Sequence, residues 1–417
     1  MTKHLILMNY LIKHKSKIIN NTIDLPASKS ISNRVLIIQN LCKDSFVISN
    51  LSDAEDTKIL NKNLNSSKTK LNVKDAGTAM RFLTALLATK NKEFIITGNK
   101  EMNKRPIGPL VKALNSLGAN ICYLKKKNFS PIIIRKSNLK GGEINIDSNI
   151  SSQFISAILL IAPILKNGLI INLNGKIVSK SYIEMTLKIM SYFGIRWSWK
   201  KNQIVINEQE YVAKDISIEN DWSSATFWMQ IVALSKSAKI NLKGLNKDSW
   251  QGDIKALDFF SNVGVEHKFK KNCLLIQKTN KISSKKIFNL INNPDVAQPL
   301  ICTYAALNKK ATFKGLETLK YKETNRIIAL KNELKKIGAE IKIENNTIEL
   351  LNSSLISNIK ISTYNDHRMA MCFSPLALKL DEIIIIDAIV VKKSYPEFWK
   401  DLKEVGFTIS PLSDLNN

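Results

Sequence analysis

The sequence contains few of the residues that build disulfide or metal frameworks. Only five of its 417 residues are cysteine, and none of them forms a C-x-x-C pair. Cysteines scattered in this way predict buried thiols in a reducing compartment, with neither a disulfide framework nor a zinc site. We therefore expect a cytoplasmic protein without a bound metal. The five positions are Cys42, Cys122, Cys273, Cys302 and Cys372.

Long apolar runs are also missing. No stretch approaches the roughly 18–20 apolar residues that a membrane span requires. The first 15 residues contain only a short apolar patch, residues 5–8, followed by more lysine and histidine. This patch is too short for the core of a signal peptide, and the serine- and arginine-rich character of a transit peptide is absent. We expect neither a membrane anchor nor a targeting segment.

Arginine is scarce in a chain that is otherwise strongly basic. The 62 lysines and arginines against 35 acidic residues give a formal net charge of +27. This charge is spread along the whole chain, among many Asn and Ile residues typical of an A- and T-rich genome, so it does not by itself predict nucleic-acid binding. Arginine binds carboxylates and phosphates with two parallel hydrogen bonds that lysine cannot reproduce. The first candidates for anion contacts are therefore Arg34, Arg81, Arg105, Arg135, Arg196, Arg326 and Arg368.

Two interleaved patterns indicate a sixfold repeat. A short polar cluster precedes an apolar helix start six times, beginning at Ala27, Asp75, Asp147, Glu219, Asn292 and Tyr364. Five amphipathic segments end at a glycine that suits the left-handed position after a helix, namely Gly118, Gly194, Gly264, Gly338 and Gly406. These patterns predict a mixed α/β fold of duplicated strand–helix–strand–helix–strand–strand units. An open solenoid is the alternative, although no capping repeats are visible.

The first helix of five of these units is apolar on nearly all sides. Such helices are buried, so their polar N-terminal clusters are expected to meet at one end of a bundle and attract anions. The stretch LPASKSISNR illustrates the chemistry, because Pro26 ends an extended segment and Ser28 can cap a helix that carries Lys29 and Arg34. Taken alone, this stretch fits either an anion site or an ordinary capped surface helix.

Nine motifs in order give a more specific interpretation: LPASKSISNR, DAGTAMRFL, NKRPIG, SSQF, VSKSYI, NPDVAQ, KETNR, NDHRMAM and KKSYP. Together they resemble the EPSP synthase (3-phosphoshikimate 1-carboxyvinyltransferase) family from end to end. The resemblance implies an inverse α/β barrel in two domains of three βαβαββ units each. Residues 1–27 and 220–417 would form one domain and residues 28–219 the other, with chain crossings near 20–28 and 216–224. The active site is expected in the cleft between them.

The resemblance also implies a reaction of the shikimate pathway. The carboxyvinyl group of phosphoenolpyruvate would be transferred to the 5-hydroxyl of 3-phosphoshikimate, with release of phosphate. Neither a metal nor an organic cofactor is expected. The partners would be these two small molecules, without nucleic acid or membrane, and the protein would act as a monomer in the cytoplasm.

Site residues follow from the resemblance motif by motif. Asp295 would take the proton of the 5-hydroxyl, Glu323 would handle the proton at C3, and Lys29 would assist phosphate departure. The 3-phosphoshikimate ligands would be Lys29, Ser30, Arg34, Ser151, Ser152, Gln153, Ser179, Tyr182, Asp295, Thr318 and Lys322. The phosphoenolpyruvate ligands would be Lys29, Gly77, Arg105, Gln153, Arg326, Arg368 and Lys393.

Departures from the family pattern qualify these roles. Thr318 occupies a position where some members have asparagine, so its contact is open. Phe82 replaces a common proline on the helix of Gly77, which leaves sensitivity to glyphosate open. His367 is expected beside the phosphoenolpyruvate clamp, with a direct proton role as the alternative.

Three competing functions are considered. A UDP-N-acetylglucosamine enolpyruvyl transferase has the same fold but carries a reactive loop cysteine, and the stretch GNKEMNK before Arg105 has none. A basic RNA-binding protein would show aromatic residues interleaved with a basic patch, and no such patch is visible. A catalytically decayed relative remains the third possibility.

Overall fold

The computed structural model describes residues 8–271 and 273–412. Residues 1–7, which bear on the expected absence of a targeting segment, lie outside this part of the chain. The α-helices are α1 (Lys29–Leu41), α2 (Glu55–Leu64), α3 (Gly77–Ala88), α4 (Gly108–Ser116), α5 (Ser152–Ile161), α6 (Lys180–Tyr192), α7 (Trp222–Leu234), α8 (Ala256–Ser261), α9 (Ala297–Ala306), α10 (Arg326–Lys336), α11 (His367–Phe373) and α12 (Phe398–Glu404).

The strands alternate with these helices. They are β1 (Asn9–Lys13), β2 (Ile18–Asp24), β3 (Ile48–Ser49), β4 (Lys70–Asn72), β5 (Phe94–Thr97), β6 (Asn120–Tyr123), β7 (Ile132–Arg135), β8 (Gly142–Asp147), β9 (Leu169–Asn174), β10 (Ser198–Lys200), β11 (Gln203–Ile206), β12 (Ile216–Ser217), β13 (Ser237–Lys243), β14 (Val263–Lys270), β15 (Cys273–Ile282), β16 (Ile287–Asn289), β17 (Ala311–Lys314), β18 (Ala339–Glu344), β19 (Thr347–Ser353), β20 (Ile359–Ser362), β21 (Ile383–Ile386) and β22 (Thr408–Leu412). Short 3₁₀ helices cover Met102–Lys104, Ala162–Ile164, Gly252–Lys255, Glu317–Tyr321, Ser374–Leu378 and Ala388–Lys393.

The chain folds into two units. The first unit contains residues 8–26, 219–249 and 253–412, and the second contains residues 27–218 and 250–252. Each unit has its own hydrophobic core of buried aliphatic and aromatic side chains.

The sheets repeat one pattern. In each four-stranded sheet, a parallel pair is extended by two antiparallel strands, giving the orders β4-β5-β7-β6, β8-β9-β11-β10, β2-β13-β15-β14, β16-β17-β19-β18 and β20-β21-β1-β22. A shorter parallel pair, β3 with β12, completes the second unit. The pairs β4–β5, β8–β9, β16–β17 and β20–β21 are each joined by a helix, as a parallel connection requires. In contrast, β2–β13 and β3–β12 pair strands that lie far apart in the sequence. The predicted repeat is therefore seen in five four-stranded sheets, and the sixth sheet of the described residues has only two strands.

The first helix of five repeats is buried on nearly all sides, as predicted. Every residue of α7, α9 and α11 is buried, and so is every residue of α3 except Thr78. A helix surrounded by protein presents only its ends to a ligand, which makes the N-termini of these helices the places for polar chemistry. No helix in the described ranges is both long and apolar enough to cross a membrane.

All five predicted glycines adopt positive φ angles, between +82° and +95°. Gly264 differs from the others in lying inside β14, at a bulge next to Val263. Gly338, which follows α10, is the most constrained, because an added Cβ would overlap the backbone carbonyl oxygen of Ser354. Both the left-handed backbone and this overlap require glycine at position 338.

Gly338→Ala is expected to destabilise the first unit by about 2 kcal/mol or more, since it combines backbone strain with a clash against main chain. Gly406→Ala is the matched control in the same unit, because its φ is +94° and its Cβ would meet only the His14 side chain, at 3.3 Å. Thermal unfolding should show a clearly larger loss for Gly338→Ala. Equal losses would contradict the role of the Ser354 carbonyl.

Candidate active site

The start of α1 is built as the sequence predicts. Ser28 is the N-cap, and its side chain accepts a hydrogen bond from the backbone N–H of Ile31. Lys29, the first helical residue, donates from Nζ to Oδ2 of Asp56 at 3.0 Å. Asp56 lies in α2 and is 3% exposed. This buried carboxylate fixes the ammonium group beside the positive end of the helix dipole.

Arg34 is a buried guanidinium with neutral partners. Its nitrogens donate to the Thr186 hydroxyl at 2.7 Å, the Ser30 carbonyl at 2.7 Å, the Ser156 hydroxyl at 3.2 Å and the Tyr182 carbonyl at 3.3 Å. Within the described residues it forms no ion pair with a carboxylate. Burial lowers the pKa of the Arg34 guanidinium to about 10. We call this group of five residues the Arg34 cluster.

Phe82 contacts the Arg34 cluster. The Arg34 guanidinium carbon lies 5.5 Å from the centre of the Phe82 ring, within the range of a cation–π interaction. The aromatic residue that departs from the family pattern therefore supports the arginine.

A second helix start lies at Gly77. An added Cβ on Gly77 would meet both terminal nitrogens of Arg105 at 2.6 Å, so the guanidinium packs directly against the first residue of α3. Arg81 joins the two segments, because it donates to the Gly77 carbonyl at 3.1 Å and to the Pro106 carbonyl at 2.6 Å. Arg105 is thus held at a helix N-terminus, where free N–H groups and a cation favour an anion.

The start of α5 and the start of α6 supply hydroxyl groups. Ser151 caps α5, and its Oγ accepts from the Gln153 N–H at 3.3 Å. Gln153 also reaches Thr78 of α3 at 3.2 Å, which links the two helix starts. Ser179 precedes α6 in a left-handed conformation with φ of +54°, and the Tyr182 N–H donates to its carbonyl at 3.0 Å. Ser152 and Ser179 are 7% and 3% exposed.

The first unit contains a network of charges centred on Arg326. Its guanidinium donates to both oxygens of Asp366, at 2.7 and 3.2 Å, and to Glu323 at 2.9 Å and Asp295 at 3.3 Å. Although burial acts against the charge of Arg326, these carboxylates outweigh it and raise its pKa. Three carboxylates around one 1%-exposed guanidinium fix the relative positions of Asp295 and Glu323.

Arg368 and Lys322 complete this network. Arg368 donates to the Asp295 carboxylate at 3.0 Å and to the Asp295 carbonyl at 3.1 Å. The ammonium group of Lys322 lies 3.6 Å from Oδ1 of Asp295. Burial lowers the pKa of Lys322, and the charge of Asp295 opposes that effect. We call these residues the Arg326 cluster: Asp295, Lys322, Glu323, Arg326, Asp366 and Arg368.

Lys393 and Thr318 lie in the same unit. Lys393 is 5% exposed. The segment after it is anchored by Tyr395, whose hydroxyl donates to Asp401 at 2.6 Å and accepts from Trp228 at 3.2 Å. The Thr318 hydroxyl is buried and has no hydrogen-bond partner among the residues that the structure describes. A buried hydroxyl without a partner is unfavourable unless a ligand or water satisfies it.

Comparison with known proteins identifies the family. The family described as EPSP synthase (3-phosphoshikimate 1-carboxyvinyltransferase) matches residues 59–402. A 3-phosphoshikimate 1-carboxyvinyltransferase of Bacteroides fragilis is 43% identical over 96% of this chain and 99% of its own length. The chain belongs to the EPSP synthase family.

More distant relatives agree. A 3-phosphoshikimate 1-carboxyvinyltransferase of Buchnera aphidicola is 36% identical over 95% of this chain and 97% of its own length. The solved structure of an EPSP synthase from Acinetobacter baumannii matches with a TM-score of 0.76 at 20% identity, covering 97% of this chain and 100% of that one. The mixed α/β fold is therefore that of an EPSP synthase.

Three carboxylates that were not predicted from the sequence contact or lie beside the predicted residues. Asp56 holds Lys29, Asp366 holds Arg326, and Asp253 is hydrogen-bonded by the Ser223 hydroxyl at 2.8 Å and the Asn293 amide at 3.4 Å. A sequence signal existed for Asp366, which lies in NDHRMAM as the N-cap of α11. No comparable signal marked Asp56, because only the folded chain brings α2 to the start of α1.

His367 is enclosed. It is 1% exposed, and its Nδ1 lies 3.8 Å from Asp366. No group of three or more potential metal-ligating side chains occurs within the described parts of the chain. In this EPSP synthase family member, each unit presents cationic side chains and helix N-termini, which suit phosphates and carboxylates.

Asp253 is expected to make the free energy of unfolding depend on pH. Burial, followed by the charge of Asp295, raises the pKa of Asp253 from 3.8 to about 6. The folded state therefore holds this proton more tightly than the unfolded state, and the free energy of unfolding falls as the pH rises from about 4 to about 6. Asp253→Asn should remove up to about 3 kcal/mol of that decrease.

Thermal unfolding at several pH values measures this effect. The melting temperature of Asp253→Asn relative to the parent should increase between pH 4 and pH 7, whereas the exposed control Asp381→Asn should follow the parent. A difference between variant and parent that stays constant over this range would show that Asp253 does not titrate as inferred.

Proposed function

We propose that the chain catalyses transfer of the carboxyvinyl group of phosphoenolpyruvate to the 5-hydroxyl of 3-phosphoshikimate, giving 5-enolpyruvylshikimate 3-phosphate and phosphate. Membership of the EPSP synthase family supports this activity. The observation that carries it most directly is the Arg326 cluster, where three carboxylates contact one buried arginine beside further cations.

The proposed chemistry needs three proton transfers. As the 5-hydroxyl attacks C2 of phosphoenolpyruvate, its proton leaves and C3 gains a proton; C3 then loses a proton as phosphate departs. We assign the first proton to Asp295 and the protons at C3 to Glu323. Both contact Arg326, which holds them in fixed positions, as general acid–base catalysis requires. Lys29 would stabilise the departing phosphate.

Binding of the two anionic substrates is divided among the helix starts. We propose that Arg34 neutralises the carboxylate of 3-phosphoshikimate, since a buried guanidinium without a carboxylate partner gains most from an anion. The phosphate and hydroxyl groups of 3-phosphoshikimate would be bound by Lys29, Ser30, Ser151, Ser152, Gln153, Ser179, Tyr182, Asp295, Thr318 and Lys322. Phosphoenolpyruvate would be bound by Lys29, Gly77, Arg105, Gln153, Arg326, Arg368 and Lys393.

The wider organisation is also proposed. Residues 1–27 and 220–417 would act as one domain and residues 28–219 as the other, with both contributing to a single active site. The protein would act as a cytoplasmic monomer, without metal, organic cofactor or nucleic acid.

A phosphate-release assay tests the proposed activity. Phosphate should appear when phosphoenolpyruvate and 3-phosphoshikimate are supplied together, and not when either is omitted. Release no greater than in the single-substrate controls would overturn the proposal.

The proton-transfer roles predict large losses of turnover. Asp295→Asn and Glu323→Gln should each lower kcat by on the order of 10²–10⁴-fold, the range typical of general acid–base groups. Glu340→Gln, at an exposed position in β18, is the control and should retain the parental kcat. Near-parental turnover in both site variants would show that the protons move through other groups.

Gly77→Ala should weaken phosphoenolpyruvate binding, because the added methyl group would displace the Arg105 guanidinium. Losing a hydrogen-bonded charge contact corresponds to about a ten- to hundredfold rise in KM for phosphoenolpyruvate. A double-mutant cycle with Arg105→Lys checks the cause. If Arg105 mediates the effect, the double variant should resemble Arg105→Lys; fully multiplicative effects would contradict this.

A further inference from the structure

Glu333 is a fully buried carboxylate in α10, seven residues after Arg326. It is 0% exposed and accepts three hydrogen bonds, from the Tyr364 hydroxyl at 2.6 Å, the Ser362 backbone N–H at 3.0 Å and the Lys336 ammonium group at 2.7 Å. Lys336 also donates to the Lys360 carbonyl at 3.3 Å. Three of the four contacts of this Glu333–Lys336 pair therefore reach the segment around β20 and the turn that follows it.

This segment adopts an unfavourable backbone conformation. Tyr364 and Asn365 have φ angles of +54° and +55°, and non-glycine residues persist in this region only where their surroundings hold them. The turn leads directly into Asp366 and Arg368. Its geometry therefore determines where the Arg368 guanidinium lies.

Helix α10 contacts this segment at two places. At its first residue, Arg326 binds both oxygens of Asp366. Two turns later, about 10 Å along the helix axis, Glu333 binds Tyr364 and Ser362. Together the two contacts define both the position and the direction of the turn relative to α10, which a single contact could not do.

We propose that Glu333, acting through Tyr364, is a positioning residue for Arg368 in the Arg326 cluster. It contacts no substrate. It holds the left-handed turn so that Arg368 meets Asp295 and is ready to bind the anionic second substrate. The kinetic consequence rests on the proposed function, whereas the structural consequence for residues 362–368 does not.

The kinetic test compares three substitutions in the full-length chain. Tyr364→Phe removes one hydroxyl. Glu333→Gln can still form hydrogen bonds with Tyr364 and Ser362, but it loses the negative charge that faces Lys336. Glu333→Ala removes all three contacts. KM for phosphoenolpyruvate should rise about tenfold in Tyr364→Phe and Glu333→Ala and less in Glu333→Gln. The kcat should change less than threefold, and KM for 3-phosphoshikimate less than twofold.

Two matched controls distinguish the positioning of Arg368 from the effect of removing any carboxylate charge or any tyrosine hydroxyl. Glu397→Gln removes an exposed carboxylate that forms a similar i, i+3 pair with Lys400, and Tyr10→Phe removes an exposed hydroxyl. Both should retain parental kinetics. The proposal would be overturned if the Glu333 and Tyr364 variants had a lower melting temperature but a parental KM for phosphoenolpyruvate, measured at a temperature where they remain folded.

Hydrogen–deuterium exchange provides a readout that does not depend on activity. The peptide covering residues 362–368 should exchange at least fivefold faster in Tyr364→Phe and Glu333→Ala than in the parent, while a peptide from α7 should be unchanged. Unaltered exchange in residues 362–368 would overturn the positioning role. If the parent releases no phosphate but exchange responds as expected, the proposed function fails and the positioning role stands.

Discussion

The burial of Arg326 among carboxylates is the interaction on which the site in the first unit depends. A buried charge without partners would be strongly unfavourable, and removing one partner from such a network exposes the others to that penalty. Arg326 satisfies Asp295, Glu323 and Asp366 together. These three residues come from different segments of the chain, so a single guanidinium fixes the geometry of the β16–α9, α10 and α11 starts.

The buried arginine of the second unit has neutral partners, in contrast to Arg326 with its carboxylates. Arg34 is buried among hydroxyl and carbonyl groups, and its pKa is lowered by burial. An anionic ligand would supply the negative charge that the protein does not. The contrast between the two clusters is consistent with different tasks: the Arg326 cluster contains carboxylates that can move protons, and the Arg34 cluster offers uncompensated positive charge to bind a ligand.

Much of the fold followed from local rules. The buried first helices, the positive φ angles of the predicted glycines and the Ser28 cap each depend on residues close in sequence, and each is confirmed. The repeat could be predicted because each unit buries an apolar helix against a small sheet, and this burial requires a similar sequence pattern in each unit. The carboxylates Asp56 and Glu333 were not found, because a lone acidic residue in an amphipathic helix looks like a solvated side chain.

The sequence by itself determined the family, the repeated units and the candidate cationic residues of the site, because motifs, periodicity and the scarcity of arginine are all properties of the linear chain. Only the tertiary structure decided which carboxylates hold those cations. Asp56 meets Lys29 across 27 positions, Asp366 meets Arg326 across 40, and Glu333 meets Tyr364 across 31. Such contacts depend on how helices and turns pack, and no local pattern encodes that packing.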